Sequence, residues 1–291
     1  MSYKRLENAS VAPYCSMKVG GRAKRILIPE SIPQLAAAVR AEAESGGRYV
    51  VMGNCSNVIF PDTGFDGTVI LTGCVKGMRS AGCTLTAACG ETLSALSRAA
   101  CNAGIAGFEF CYGIPGTVGG GVFMNAGAYG GEISGIFLRG VFLDKELREV
   151  TLEKGEMDFG YRKSVLAQNG YILLSAEFAG TPGESGAIRE KAEGFMRARR
   201  QKQPLEYPSC GSVFKRPEGH YAGALIEQCG LKGVSVGGAY VSEKHAGFIV
   251  NKGGATASDV IALIKLVRDT VYERTGIMLE PEIRVIGYLR R

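Results

Sequence analysis

Long hydrophobic runs are missing from this sequence. Nowhere do about 18 apolar residues follow one another, the length that predicts a membrane-spanning helix, so we expect no membrane partner. The N-terminal sequence MSYKRLENAS also lacks the apolar segment of a secretory signal peptide. These absences predict a cytoplasmic protein.

The cysteines show neither the pattern of a disulfide framework nor that of a zinc cluster. There are nine of them, an odd number, and no two are spaced as C-x-x-C. Reduced thiols are typical of cytosolic proteins. We therefore expect no metal site.

Tryptophan is absent, and no block of Lys and Arg resembles a nucleic-acid-binding arm. The balance of 34 basic and 28 acidic residues gives a formal net charge of +6, which permits an anionic ligand without requiring a nucleic acid. We expect no nucleic-acid partner. Hydrophobic residues make up 46% and charged residues 21% of the 291 positions, as in an ordinary globular protein, and this length predicts about two domains.

Hydrophobic periodicity and capping residues predict a mixture of helices and strands. The predicted helices are 31–45, 92–103, 187–202, 222–229 and 259–275. The predicted strands are 49–52, 68–71, 140–143, 149–152, 171–178, 247–250 and 283–286. The sequence TPGESG at 181–186 is typical of a linker.

Glycine is abundant, at 42 residues, and is concentrated in GFEFCYGIPGTVGGGVFMNAGAYGG at 107–131. So much glycine predicts neither a helix nor an ordinary strand there. The backbone amides of this segment could surround a pyrophosphate. The glycines concerned are Gly113, Gly116, Gly119, Gly120, Gly121 and Gly127. The alternative is a turn cluster that only solves a packing problem. The segment matches neither a Rossmann fingerprint nor a P-loop, because no strand leads directly into a helix and no Gly-Lys-Ser/Thr follows.

A second glycine loop, GNCSN at 53–57, is another candidate anion site. The alternative is that it forms a simple strand-to-loop turn.

Three further positions carry side chains that could take part in catalysis. Arg162 offers a planar fork for a carboxylate, unless it is an ordinary surface arginine. Ser212 follows a glycine and could present its hydroxyl into a cleft. A serine-hydrolase triad is not favoured, because only two histidines could serve as its base and no G-x-S-x-G elbow is present. Within EPE at 280–282, one carboxyl group could donate a proton or stabilise charge, unless both are exposed in a turn.

Taken together, several motifs resemble the UDP-N-acetylenolpyruvoylglucosamine reductase family over residues 14–287. They are VGGRA at 19–23, GNCSN at 53–57, GIPGTVGGGVFMNAGAYGGEI at 113–133, YRKS at 161–164, QPLEYPSCGSVFKRP at 203–217, AGALIEQCGLKG at 222–233, VSEKHAGFIVN at 241–251 and LEPEI at 279–283. Their order and spacing make the resemblance specific.

The resemblance implies an α+β fold. It has an FAD-binding domain of the vanillyl-alcohol-oxidase type in two subdomains, 1–74 and 75–184, and a C-terminal substrate-binding domain, 185–291. The length is similar to that of the short form of the family, without the tyrosine-loop insertion. The residues implied to bind FAD are Gly53, Asn54, Cys55, Ser56, Asn57, Gly113, Ile114, Pro115, Gly116, Thr117, Gly119, Gly120, Asn125 and Gly127.

The implied reaction is the NADPH-dependent reduction of the enolpyruvyl group of UDP-N-acetylglucosamine enolpyruvate to UDP-N-acetylmuramate, in peptidoglycan synthesis. By the same resemblance, Arg162 and a protonated Glu282 neutralise the charge that develops on the substrate, and Ser212 protonates C2. We expect non-covalent FAD, because both histidines lie outside the flavin half, and we expect a monomer. The rival functions are an oxygen-using flavin oxidase and a non-catalytic flavin-binding sensor.

The chain departs from the family at two cysteines. Position 55 is usually glycine, so we expect Cys55 to crowd the backbone that approaches FAD. Cys15 stands where threonine is common.

Overall fold

Helices and strands are interspersed along the chain in the computed structural model, which describes residues 3–287. The helices are α1 (Ile32–Glu44), α2 (Leu93–Asn102), α3 (Val118–Met124), α4 (Ile133–Ile136), α5 (Leu166–Asn169), α6 (Ser185–Lys202), α7 (Ala222–Gln228) and α8 (Ala257–Thr275). The strands are β1 (Lys4–Ser10), β2 (Arg22–Ile28), β3 (Tyr49–Met52), β4 (Val58–Ile59), β5 (Phe65–Leu71), β6 (Met78–Ala81), β7 (Thr84–Ala88), β8 (Ile105–Ala106), β9 (Gly127–Ala128), β10 (Gly131–Glu132), β11 (Phe137–Leu143), β12 (Glu149–Glu153), β13 (Ile172–Ala179), β14 (Thr181–Pro182), β15 (Ser209–Ser212), β16 (Ser235–Val236), β17 (Ala239–Val241), β18 (Phe248–Asn251) and β19 (Arg284–Val285). The α+β class is confirmed.

The larger sheets are mostly antiparallel. A five-stranded sheet has the order β12-β11-β13-β7-β6, and two four-stranded sheets have the orders β1-β2-β5-β3 and β15-β18-β17-β16. Strand β3 lies at a sheet edge and pairs in parallel with β5. Strand β3 is half-buried, because an edge strand has a neighbour on one side only.

Capping explains why the predicted helix boundaries are nearly correct. The Thr256 side chain accepts the N–H of Asp259, the Asp259 carboxylate accepts the N–H of Thr256, and together they form a capping box at the start of α8. Gly276, with φ of 73°, ends the same helix in the left-handed conformation. Ser258 lies inside α8, where its hydroxyl donates to Asp62.

The prediction that the glycine segment contains no helix is wrong. Thr117 caps α3 by accepting the N–H of Gly120 at 3.3 Å, and Asn125 ends it with φ of 43°. Inside the helix, a Cβ added to Gly121 would lie 3.0 Å from a Leu93 methyl group. Each helical glycine costs about 1 kcal/mol relative to alanine. Close packing on α2 and the two caps offset that cost.

The prediction of a linker at 181–186 is also wrong. Strand β14 pairs with β8, and α6 begins two residues earlier than predicted, at Ser185. The Glu184 carboxylate accepts the N–H groups of Gly186 and Ala187, at 2.9 and 2.7 Å, and so caps the helix. The turn-forming residues of this stretch therefore lie in strand β14 and at the start of helix α6.

Internal contacts divide the chain into two compact units. The first unit takes in the chain up to Glu7, 25–54 and 67–198, and the second takes in 8–24, 55–66 and the chain from Arg199 onward. The core of the first unit combines aliphatic side chains with several phenylalanines, and Phe178 packs edge-to-face on Phe108 and Phe137. In the second unit, aliphatic side chains of α8 pack on β16 and β17. The domain ranges 1–74, 75–184 and 185–291 stay a prediction.

Over residues 3–287, no helix has both the length and the apolar composition that crossing a bilayer requires.

Candidate active site

The first unit brings parts of the two glycine loops into contact. A Cβ added to Gly53 would lie 2.2 Å from the Thr117 Oγ1, so only glycine fits there. The Asn54 side-chain amide donates to the Pro115 carbonyl at 3.0 Å. Pro115 and Gly120 are exposed, and the other loop residues named here, apart from buried Thr117, are half-buried. The two loops therefore contribute to one partly exposed surface.

Several amides that were expected to surround a pyrophosphate donate within the protein instead. The N–H of Gly113 donates to the Ser94 Oγ at 3.0 Å, and that of Gly119 donates to the Cys89 carbonyl at 2.8 Å. The N–H of Gly120 donates to Thr117. Because these N–H groups are already bonded within the protein, FAD binding by this segment depends more on the close approach to the backbone that glycine allows.

Packing accounts for further glycines of the segment. A Cβ added to Gly127 would lie 2.7 Å from the Gly131 carbonyl oxygen in the β9–β10 hairpin. By contrast, a Cβ added to Gly120 would meet nothing closer than 3.6 Å. The packing interpretation thus explains Gly53, Gly121 and Gly127, whereas Gly120 leaves open space beside the exposed surface.

Asn125 is fully buried, and its side-chain amide is used twice. Its Oδ1 accepts the N–H of Ser134 at 2.8 Å, and its Nδ2 donates to the Gly160 carbonyl at 3.0 Å. These bonds connect the end of α3 to a segment 35 residues further along the chain. The sequence had suggested Asn125 as an FAD contact and gave no sign of these partners.

Arg162 lies in a tight turn that is closed by reciprocal backbone hydrogen bonds between Gly160 and Lys163, both of 3.1 Å. Its φ of 55° is in the left-handed region. The guanidinium carbon lies 5.0 Å from the centre of the Tyr161 ring, and Nη2 lies 3.5 Å from the Gly127 carbonyl oxygen. The side chain is half-buried, so the guanidinium is held by neighbours and still partly accessible.

Ser212 and Glu282 lie on neighbouring backbone segments of the second unit. Gly211, with φ of 77°, sits in a bulge between β15 and β18, and the bulge turns the exposed Ser212 relative to the ladder. The Ser212 hydroxyl donates to the Phe214 carbonyl at 3.2 Å. The N–H of Glu282 donates to the Val213 carbonyl at 2.7 Å. The serine and the glutamate are therefore close in the same unit.

The two glutamates of the C-terminal motif differ in their surroundings. Glu280 is exposed, and its carboxylate pairs with the Lys215 ammonium at 2.5 Å. Glu282 is half-buried, and its backbone carbonyl accepts the Asn57 side-chain amide at 3.1 Å. Asn57, suggested as an FAD contact, thus fixes the backbone of the predicted catalytic glutamate.

Cys55 has a φ of 46°, the backbone conformation that favours glycine. Its side chain is 5% exposed and hydrogen-bonds the sulfur of Cys15, which is also buried. That bond lowers the pKa of Cys15, and the same bond and burial raise the pKa of Cys55. The free-energy cost of cysteine in place of glycine therefore comes from the left-handed backbone conformation, because the thiol itself is packed inside the unit.

Cys210 is buried. Desolvation raises its pKa to about 12, as for a structural thiol. Across 3–287, no group of His, Cys, Asp and Glu side chains is arranged to hold a metal ion.

Two family models match the chain. Residues 23–153 match an FAD binding domain, and residues 203–286 match the C-terminal domain of UDP-N-acetylenolpyruvoylglucosamine reductase.

Full-length relatives are similar along nearly the whole chain. UDP-N-acetylenolpyruvoylglucosamine reductase of Caldicellulosiruptor bescii is 47% identical over 97% of this chain and 90% of its own length. That of Latilactobacillus sakei is 45% identical over 96% of this chain and 92% of its own. The crystal structure of the reductase from Thermus caldophilus superposes with a TM-score of 0.80 at 32% identity, covering 98% of this chain and 99% of that one.

Proposed function

Because the chain belongs to the UDP-N-acetylenolpyruvoylglucosamine reductase family, we propose that it reduces the enolpyruvyl group of UDP-N-acetylglucosamine enolpyruvate to UDP-N-acetylmuramate. It is a flavin-dependent oxidoreductase of peptidoglycan synthesis that uses FAD and NADPH. The observation that carries the proposal is 47% identity to a named reductase along 97% of the chain. We place the enzyme in the cytoplasm as a monomer.

The residues of the first unit fit FAD. The contact between Gly53 and Thr117 joins the two candidate loops, and Gly120 leaves open space beside them. When bound, FAD supplies a hydride carrier that accepts hydride from NADPH and delivers it to C3 of the enolpyruvyl group. The residues proposed to hold it are those of 53–57 and 113–127 suggested by the sequence, except Asn125, whose buried side-chain amide is bonded to Ser134 and Gly160. The packing of Gly53 against Thr117 supports this where the two loops meet.

In the proposed mechanism, Arg162 binds the substrate carboxylate. Delivery of hydride to C3 leaves negative charge at C2 that spreads into this carboxylate. A planar guanidinium can meet both carboxylate oxygens at once. The closed turn at 160–163 supports this role because it sets the local backbone conformation from which the side chain extends.

Ser212 and Glu282 complete the proposed mechanism. The Ser212 Oγ gives its proton to C2 and takes one back from solvent, while a protonated Glu282 donates a hydrogen bond to the developing charge. The hydroxyl must first leave its bond to the Phe214 carbonyl. The adjacent backbone positions of Ser212 and Glu282 support a joint role.

Glu282→Gln is expected to lower kcat about 10²-fold or more, on the scale of a lost transition-state contact. The matched control is Glu280→Gln, which breaks only an exposed ion pair with Lys215 worth about 0–1 kcal/mol and should leave kcat nearly unchanged. Steady-state rates of NADPH oxidation with the enolpyruvyl substrate measure both variants. The reverse ranking would mean that Glu280 is the catalytic carboxylate.

Acid precipitation of the purified protein is expected to release its yellow chromophore into the supernatant. A histidyl-linked flavin is not expected because both histidines, His220 and His245, belong to the second unit. The absorbance spectrum of supernatant and pellet measures the distribution. Colour that stays in the pellet would show a covalent link.

The activity itself is tested without oxygen. NADPH should bleach the flavin, and UDP-N-acetylglucosamine enolpyruvate should restore the colour in one turnover. Restoration by oxygen but not by the enolpyruvyl substrate would indicate an oxidase, and failure to bleach would indicate a non-catalytic flavoprotein.

A further inference from the structure

The turn that carries Arg162 has exposed side chains on either side of the arginine. Tyr161 at its tip is 54% exposed, and the ion pair of Lys163 with Asp158 joins two exposed side chains. Such a surface pair contributes little to holding a backbone in place. The reciprocal backbone bonds between Gly160 and Lys163 close the turn but do not fix it to the rest of the unit.

Two buried side chains connect this turn to the C-terminal end of α3. The Asn125 Nδ2 donates to the Gly160 carbonyl at 3.0 Å, and the Ser164 hydroxyl donates to the Phe123 carbonyl at 2.8 Å. Both Asn125 and Ser164 are fully buried, so water cannot readily replace either bond. The 160–164 segment is thus tied to α3 at both of its ends.

Asparagine is suited to this position in three ways. It tolerates the left-handed conformation that ends α3, with φ of 43° and ψ of 55°. Its Oδ1 accepts the N–H of Ser134, while its Nδ2 supplies the donor for the Gly160 carbonyl. Aspartate would keep the first two properties and lose only the donor, placing an oxygen against the Gly160 carbonyl oxygen.

We propose that Asn125 is a positioning residue that sets the place of the Arg162 turn, and that it serves catalysis only through Arg162. This inference rests on the proposed role of Arg162 at the substrate carboxylate. The Asn125 side chain is fully buried, and its amide is bonded to Ser134 and Gly160, so it acts through these contacts. A misplacement of about 1 Å in a catalytic group can lower a rate about 10²-fold, so one hydrogen bond to Gly160 suffices for a large effect.

The test is Asn125→Asp, followed by anaerobic stopped-flow measurement of each half-reaction. Flavin reduction by NADPH should stay within about twofold, and flavin reoxidation by the enolpyruvyl substrate should fall about 10–100-fold. Hydrogen exchange at the Lys163 amide should become faster. The matched control is Asn169→Asp, which keeps the acceptor for the N–H of Tyr171 and should change neither rate.

A double-mutant cycle separates positioning from a general structural role. In an Arg162→Ala background, Asn125→Asp should change reoxidation by less than about twofold, because the residue that it positions is gone. Additive losses would overturn the inference. An equal fall of both half-reactions, or loss of bound FAD, would instead make Asn125 a residue of the fold or of the cofactor site.

The outcomes also distinguish this inference from the proposed function. If Arg162→Ala slows reoxidation and Asn125→Asp does not, the positioning role alone is wrong. If Arg162→Ala leaves reoxidation unchanged, the proposed role of Arg162 is wrong, and the positioning role falls with it. Should Asn125→Asp fail to fold, Ser164→Ala removes the other tie to α3. It should slow reoxidation severalfold with the same non-additivity, and additivity there would overturn the inference.

Discussion

Replacing Ser212 with alanine is expected to leave flavin reduction by NADPH nearly unchanged and to slow flavin reoxidation by substrate about 10²–10⁴-fold. Hydride transfer from NADPH needs no proton from the protein. Reduction of the enolpyruvyl group creates charge at C2, and the Ser212 hydroxyl is the group proposed to quench it. The loss should therefore be confined to the second half-reaction.

Anaerobic stopped-flow absorbance of the flavin measures both half-reactions of the Ser212→Ala variant. Ser209→Ala, on the same strand β15, is the matched control and should leave both rates close to those of the unmodified enzyme. Ser212→Cys should keep some reoxidation, because a thiol also donates a proton. A collapse of flavin reduction with fast reoxidation would show that Ser212 positions a ligand rather than protonating C2.

Arg162→Lys is expected to lower kcat/KM for the enolpyruvyl substrate about 10²–10³-fold, or roughly 2.7–4 kcal/mol of transition-state stabilisation. Lysine keeps the positive charge but replaces the planar fork with a single ammonium. The Asn125 and Ser164 hydrogen bonds hold the 160–164 segment against the end of α3, so the shorter reach of lysine cannot be made up by a shift of the chain.

Steady-state kinetics with the enolpyruvyl substrate measures this effect. Arg139→Lys is the matched control, because Arg139 is an exposed residue of the same unit that pairs with Glu177 at 2.9 Å. Its kcat/KM should stay near that of the unmodified enzyme. Near-normal turnover of Arg162→Lys would show that the enzyme does not use the fork.

The sequence predicted elements whose signals are local. Helix α8 has a cap at Thr256, an apolar stripe and a stop at Gly276, and all three lie within the helix or next to it. Helix α3 was missed because glycine opposes a helix locally, whereas the packing of Gly121 on Leu93 is a tertiary contact. Local propensity could not reveal that contact.

The candidate site shows the same limit. Residue type was enough to single out Arg162, Ser212 and Glu282 as groups able to do the chemistry, although their roles stay proposals. The sequence did not reveal that the N–H groups of Gly113 and Gly119 are bonded within the protein. Their acceptors, Ser94 and Cys89, lie 19 residues or more away along the chain. Hydrogen-bond partners at such separations leave no pattern in the sequence.

The contact between Cys15 and Cys55 links two positions identified from the sequence as departures from the family pattern. A left-handed residue other than glycine costs roughly 1–2 kcal/mol, and the sulfur contact is what cysteine at position 55 gains in return. Reversion of Cys55 alone would leave the Cys15 thiol facing a gap, and reversion of Cys15 alone would leave the strain without its compensation. We therefore expect the effects of the two substitutions on stability to be non-additive, which in evolutionary terms is epistasis.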